Sequence, residues 1–209
     1  MNVDRHKVFI SFYSGDKYYK DYLINHLNYY YNIFDDYSVG DGDIDDTYLT
    51  DEDIRIKIRD EFIKDATVLV LLCGKNTKAR KFIDWELHAA MYNTEKNPRM
   101  GIVVINLPES SNGLRAASQE EKDIIKPFST NWYHLVSRSE YEELFPDMPD
   151  RIISCFVEKD SPISVVNWNV IAANPENLAT LIDIAYKRRK TIEYSLKDPL
   201  RSRNSRIRY

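Results

Sequence analysis

Glu86 stands four residues after Phe82 and directly before Leu87, beyond an apolar run TVLVLLC from Thr67 to Cys73 and a polar loop from Gly74 to Lys81. A carboxylate held partly out of water can oppose positive charge growing on a reacting centre, or accept hydrogen bonds from substrate hydroxyls. Its ordinary fate is different, since a glutamate on a helix most often faces solvent. Whether this one can act depends on the elements that carry it.

Thr67 to Cys73 is a continuous aliphatic run rather than an alternating one, as expected of a parallel strand buried on both faces. In open α/β sheets ligands bind outside the carboxyl ends of the strands, which puts the loop Gly74 to Lys81 and the next helix at the predicted site. On that helix Ile83, Leu87, Ala90 and Met91 fall on one stripe at 3.6-residue periodicity, the core face. Glu86 lies on the flank beside Phe82, neither fully buried nor freely solvated, while Asp84 and His88 point to the other side.

Further strands are expected at Val8 to Phe12, Met100 to Leu107 and Ile163 to Trp168. A helix starting at Asp16 has a face of Tyr18, Tyr22, Leu23, Leu27 and Tyr30, read as packing. Thr50 followed by Asp53 caps a helix to about Asp65 through Ile54, Ile58 and Phe62, although Ile54 to Arg59 alternates as a strand would. Glu109 to Thr130 is Ser-rich and polar, with a short helix around Glu120 to Ile125, and is expected to be a mobile loop over the site. Asp147 to Phe156 forms a helix. Asn174-Pro175-Glu176 opens another, with Leu178, Leu181, Ile182, Ala185 and Tyr186 on one face. The fold class is α/β, an open, mostly parallel sheet flanked by helices, with an extra C-terminal strand and helix. One domain is expected over 1–209, with core 5–160, extension 161–190 and basic tail 191–209.

Hydrophobic residues make up 43% of the 209, enough for a core, and no apolar run approaches the roughly 20 residues of a membrane span. The N-terminus has no apolar signal region and there are only two cysteines, Cys73 and Cys155. A reduced, cytoplasmic protein is expected. The net charge of −4 is uneven: from Lys187 onward nine Lys or Arg face two acids. That basic end reads as a solvated, partly ordered terminus, and nucleic-acid binding is not expected. Asp41, Asp43, Asp45, Thr47 and Glu52 fall at ligand positions of an EF-hand-like loop. Asp46, however, stands where the sharp turn needs glycine, so no metal is assigned. Gly74-Lys75 lacks the upstream glycine of a phosphate-binding loop, and no G-x-G-x-x-G follows the first strand. A receiver domain would need paired acids where this chain has Ser11 and Tyr13.

Two segments carry a resemblance. Lys7 to Asp16 (KVFISFYSGD) is similar to the opening strand and loop of a TIR domain. Phe82 and Glu86-Leu87 resemble the aromatic residue and Glu-Leu pair that TIR enzymes carry on a helix after a strand, with Ile83 replacing the frequent Cys. Gly74 to Thr77 followed by Asp84-Trp85-Glu86 is closer still to the bacterial TIR-like group that includes the Thoeris antiphage defence proteins. The matches span the first half of the chain.

The resemblance implies a TIR/flavodoxin-like fold and cleavage of the nicotinamide–ribose bond of NAD⁺, the substrate, with no cofactor. It implies a cyclic ADP-ribose-type signal that activates a separate effector protein, and self-association into homo-oligomers. Glu86 becomes the catalytic carboxylate, opposing charge on an oxocarbenium-like ribose. Phe9, Ser11 and Tyr13, on one face of the first strand by alternation, line the opposite wall, with Phe82, Lys75 and Asn76 completing the substrate contacts. Phe9 and Tyr13 serve equally as core, and a loop lysine more often meets only water. Two other readings are a non-catalytic TIR-like adaptor and a nucleoside deoxyribosyltransferase-like enzyme.

Overall fold

The computed structural model describes residues 4–38, 49–63, 65–95, 98–125, 135 and 137–204. Five strands form its sheet: β1 (Lys7–Ser11), β2 (Asp35–Asp36), β3 (Val68–Cys73), β4 (Gly101–Asn106) and β5 (Ser164–Asn167). Their order is β2-β1-β3-β4-β5 and every pairing is parallel. The connections reverse direction between β1 and β3, so the crevice at their carboxyl ends is the topological switch point where such sheets bind ligands.

Alternation along the strands divides the core in two. Phe9, Leu69, Leu71, Ile102 and Val104 face a layer that contains the helices Asp51–Lys57, Lys81–Met91 and Asp150–Lys159. Val8, Ile10, Val70, Leu72, Val103 and Ile105 face the helix beginning at Lys17 and the helix Glu176–Arg188. All six residues of β3 and of β4 are buried, the state their uninterrupted aliphatic runs require.

Capping decides the ambiguous segment after Thr50. The Thr50 side chain accepts from the Asp53 backbone and Asp53 reaches back to Thr50, so the chain is helical from Asp51 despite its alternating isoleucines. The tyrosine face predicted for the first helix is not continuous. Lys17–Tyr22 runs into a π-type stretch, Leu23–Asn28, whose wider turn rotates the residues after it. Leu23 and Leu27 are buried, whereas Tyr30 is 73% exposed and Tyr18 70%. Tyr19 and Tyr22 instead pack edge-on against Trp168.

β5, the extra C-terminal strand expected from the sequence, pairs with β4 along four residues as an edge of the sheet. Other expectations change. The chain after β4 is tied down over 110–117. Ser111 N–H donates to Asp147 at 2.7 Å, Gly113 N–H to the Leu144 carbonyl at 2.8 Å, and Arg115 exchanges backbone bonds with Val165. A mobile loop does not describe that part; residues 126–134 lie outside the described residues. Over 190–204 the basic end is partly anchored: Ile192, Tyr194 and Ser195 are buried and Tyr194 Oη donates to the Met100 carbonyl at 2.8 Å, while Lys190 and Lys197 are exposed. Asp41 to Thr47 of the acidic segment lie outside the described residues. Among the described residues no helix is long and apolar enough to cross a membrane, and no group of His, Cys, Asp or Glu is arranged to hold a metal ion.

Candidate active site

β1 ends at Ser11, beside Leu71 of β3, and the helix that follows β3 passes over the same face. Ser11 Oγ donates to Glu86 Oε2 at 2.6 Å. Ser11 is buried and Glu86 partly so. Burial pushes the Glu86 carboxyl up to about 7, against the Ser11 hydrogen bond and the nearby Lys20 ammonium, which both favour the ionised form. A carboxylate that is costly to ionise in its own site gains from a cation placed beside it, which is the electrostatic requirement for stabilising a cationic transition state.

The other sequence-predicted residues are placed unevenly. Phe9 lies in the core at 3% exposure, with its ring among the aliphatic side chains below the site. Tyr13, past the end of β1, is partly exposed and its ring is covered by the Arg80 guanidinium 3.9 Å from the centroid. Phe82 is partly exposed and packs edge-on against Trp85 at 5.1 Å. Lys75 is exposed and Asn76 partly so, both in the turn after β3. Ser11 and Glu86 are thus joined directly, Phe82 lies on the Glu86 helix itself, and Tyr13 meets Arg80 just before that helix. Phe9 is held away from solvent by strand packing.

Asp84, expected on the outward side of its helix, is buried at 6% exposure because Arg151 Nε and Nη2 grip its two oxygens at 2.9 and 3.1 Å. The helix Lys81–Met91 is covered on nearly every side, with Trp85 and Ala89 buried beside the predicted stripe. Glu86 occupies one of its few partly open positions.

A second carboxyl group pair appears that periodicity does not reveal. A Cβ on Gly74 would stand 2.6 Å from Glu109 Oε1 and 2.8 Å from Asp16 Oδ2, so both acids converge on this glycine at the end of β3. Asp16 is pushed up to about 6, first by burial and then by Glu109, with Arg80 opposing. The acids come from the loops after β1 and β4, two strands separated in the sheet by β3. The sequence signal available was only their position just past predicted strands. Deeper in the same edge, Asn112 Nδ2 donates to Cys73 Sγ at 3.3 Å and to Asn106 Oδ1 at 3.1 Å, closing the carboxyl ends of β3 and β4 with polar contacts.

These groups suit a ligand with hydroxyls, a flat ring and a developing positive charge. Residues 9–112 match the family model described as Thoeris protein ThsB, TIR-like domain. No curated protein matches the chain.

Proposed function

Through residues 9–112 the chain belongs to the TIR-like domain family of the Thoeris protein ThsB, and from that premise we propose that it cleaves NAD⁺ in antiphage defence. The bond between ribose C1′ and the nicotinamide nitrogen breaks, and its electron pair leaves with nicotinamide, which departs neutral. No strong acid is needed. Positive charge is left on the ribose, and the Glu86 carboxylate opposes it. Capture by water releases a proton and gives ADP-ribose; capture by a nucleophile within the same molecule gives a cyclic ADP-ribose-type product, which we favour as a signal to a separate effector.

The observation that carries this proposal is the 2.6 Å bond from Ser11 to a partly buried Glu86 at the β1/β3 switch point. Ser11 orients one carboxylate oxygen and leaves the other for substrate. Phe82 offers ring surface for nicotinamide or adenine, as does Tyr13 where Arg80 leaves it uncovered, and Lys75 and Asn76 offer donors for the ribose and phosphates.

The test is nicotinamide release from NAD⁺ by purified protein, alone and in lysate from phage-challenged cells, with products separated by mass. Glu86→Ala is expected to lower release by roughly a hundredfold to a thousandfold with the fold retained. A product isobaric with cyclic ADP-ribose supports the signalling role. Cleavage of deoxynucleosides in place of NAD⁺ would move the protein to the deoxyribosyltransferase reading. Silence in both settings, with Glu86→Ala indistinguishable from wild type, would leave the adaptor.

A further inference from the structure

The first turns of the helix carrying Glu86 are held by chain from far along the sequence. Its cap residue, Arg80, makes no side-chain cap bond. Instead the Lys81 N–H donates to Asn204 Oδ1 at 2.9 Å, a cap supplied from 123 residues away. One turn on, the Arg201 backbone N–H donates to Asp84 Oδ2 at 3.0 Å, and Trp85 Nε1 donates to the Arg201 carbonyl at 2.9 Å. Arg151, while gripping Asp84, also donates to the carbonyls of Asp198 and Pro199 at 3.1 and 3.2 Å. Ser154 Oγ fixes the Asp198 carboxylate at 2.5 Å, and Leu200 packs on the core.

Lys81, Asp84 and Trp85 are therefore tied to one strap, and Glu86 is the next residue. The amino end of a helix has unpaired N–H groups and frays unless they are satisfied. A small rotation of this helix would carry Glu86 out of reach of Ser11, since a 2.6 Å hydrogen bond tolerates little displacement.

We propose that Asp198 to Asn204, anchored by Asp84 and Arg151, is a clasp that positions Glu86 against Ser11, with Trp85 and Asn204 as positioning residues that touch no substrate. Its catalytic consequence rests on the proposed NAD⁺ cleavage; its structural claim stands apart.

The full chain carrying Asn204→Ala, Trp85→Phe, or both tests it. Amide hydrogen exchange over 81–91 and ¹³C titration of the Glu86 carboxyl are followed beside nicotinamide release. Expected are roughly tenfold faster exchange confined to the amides of 81–86 and a Glu86 midpoint displaced from the wild-type value, because both its burial and its Ser11 bond depend on where the helix sits. In the same variants kcat should drop about tenfold with KM for NAD⁺ unchanged. Asn204→Asp, which keeps the accepting oxygen, should restore all three. Unchanged exchange and titration in the double variant would overturn the clasp, as would an altered helix with unchanged kcat, or exchange that rises equally across the whole sheet. Wild-type protein that cleaves no NAD⁺ but shows the localised exchange change would sink the proposed activity alone. If the double variant does not fold, Asn204→Ala, at an exposed side chain, carries the same outcomes.

Discussion

Ser11 and Glu86 lie 75 residues apart in sequence and 2.6 Å apart in space, and their pairing sets how the site responds to pH. The Glu86 carboxyl, pushed by burial from its ordinary 4.5 to about 7, is ionised only above that point. If the protein cleaves NAD⁺ as proposed, an ionised group that opposes positive charge gives an acid limb in kcat/KM near pH 7, with the rate falling below it. Ser11→Ala removes a bond that favours the ionised form, so the limb should move to higher pH and activity at pH 7 should drop several-fold. The linkage has a definite sign. A folded-state value above the unfolded one stabilises the fold fully below about 4.5, and that contribution is lost as pH rises through about 7. Glu86→Gln should therefore gain in melting temperature relative to wild type as pH rises from about 4.5 to about 7 and level off above that, and a difference between the two proteins that stays constant from pH 4 to 8 would refute the shift. At this scale the sequence supplied the identity of Glu86 and its flanking position, through helical spacing and motif. The Asp16 and Glu109 pair was not legible, because it arises from two loops that only the strand order brings together.

Elements built from unbroken signals were legible: β3 and β4 from their aliphatic runs, and the Asp51 helix from the Thr50 and Asp53 pair. The π-type stretch was not, since its residues have no distinctive spacing. How closely helices approach the sheet is decided by glycines. A Cβ on Gly101, at the start of β4, would lie 2.3 Å from the Ala185 carbonyl oxygen, a backbone atom that moves only with its whole helix. The corresponding neighbours of Gly74 are carboxylate tips that can swing away. Gly101→Ala should thus destabilise the fold by roughly 1–3 kcal/mol or more, and Gly74→Ala by clearly less. Urea unfolding of both variants checks the order, which a larger loss for Gly74→Ala would contradict.

Across the whole molecule, the buried Asp84–Arg151 pair joins the Glu86 helix, the helix Asp150–Lys159 and the strap Asp198 to Asn204. The Arg151 side chain is fully enclosed and that of Asp84 8% exposed, so removing one partner strands the other's charge. Arg151→Met alone should cost about 3–5 kcal/mol, whereas Arg151→Met with Asp84→Leu should cost less than either single change, because a buried pair replaced by apolar groups leaves no unpaired charge. Equal or additive losses in a double-mutant cycle would show that the pair is not coupled. The sequence by itself determined the α/β class, the central strands, the capped helices and the position of Glu86 on its helix, because each depends on residues within a turn or two of one another. Tertiary structure alone decided that Ser11 is the partner of Glu86, that Phe9 is core, that Asp84 is buried, and that the strap Asp198 to Asn204 lies against the site helix. Those outcomes depend on which segments meet, and a run of charges reads the same in sequence whether its backbone ends in water or against another helix.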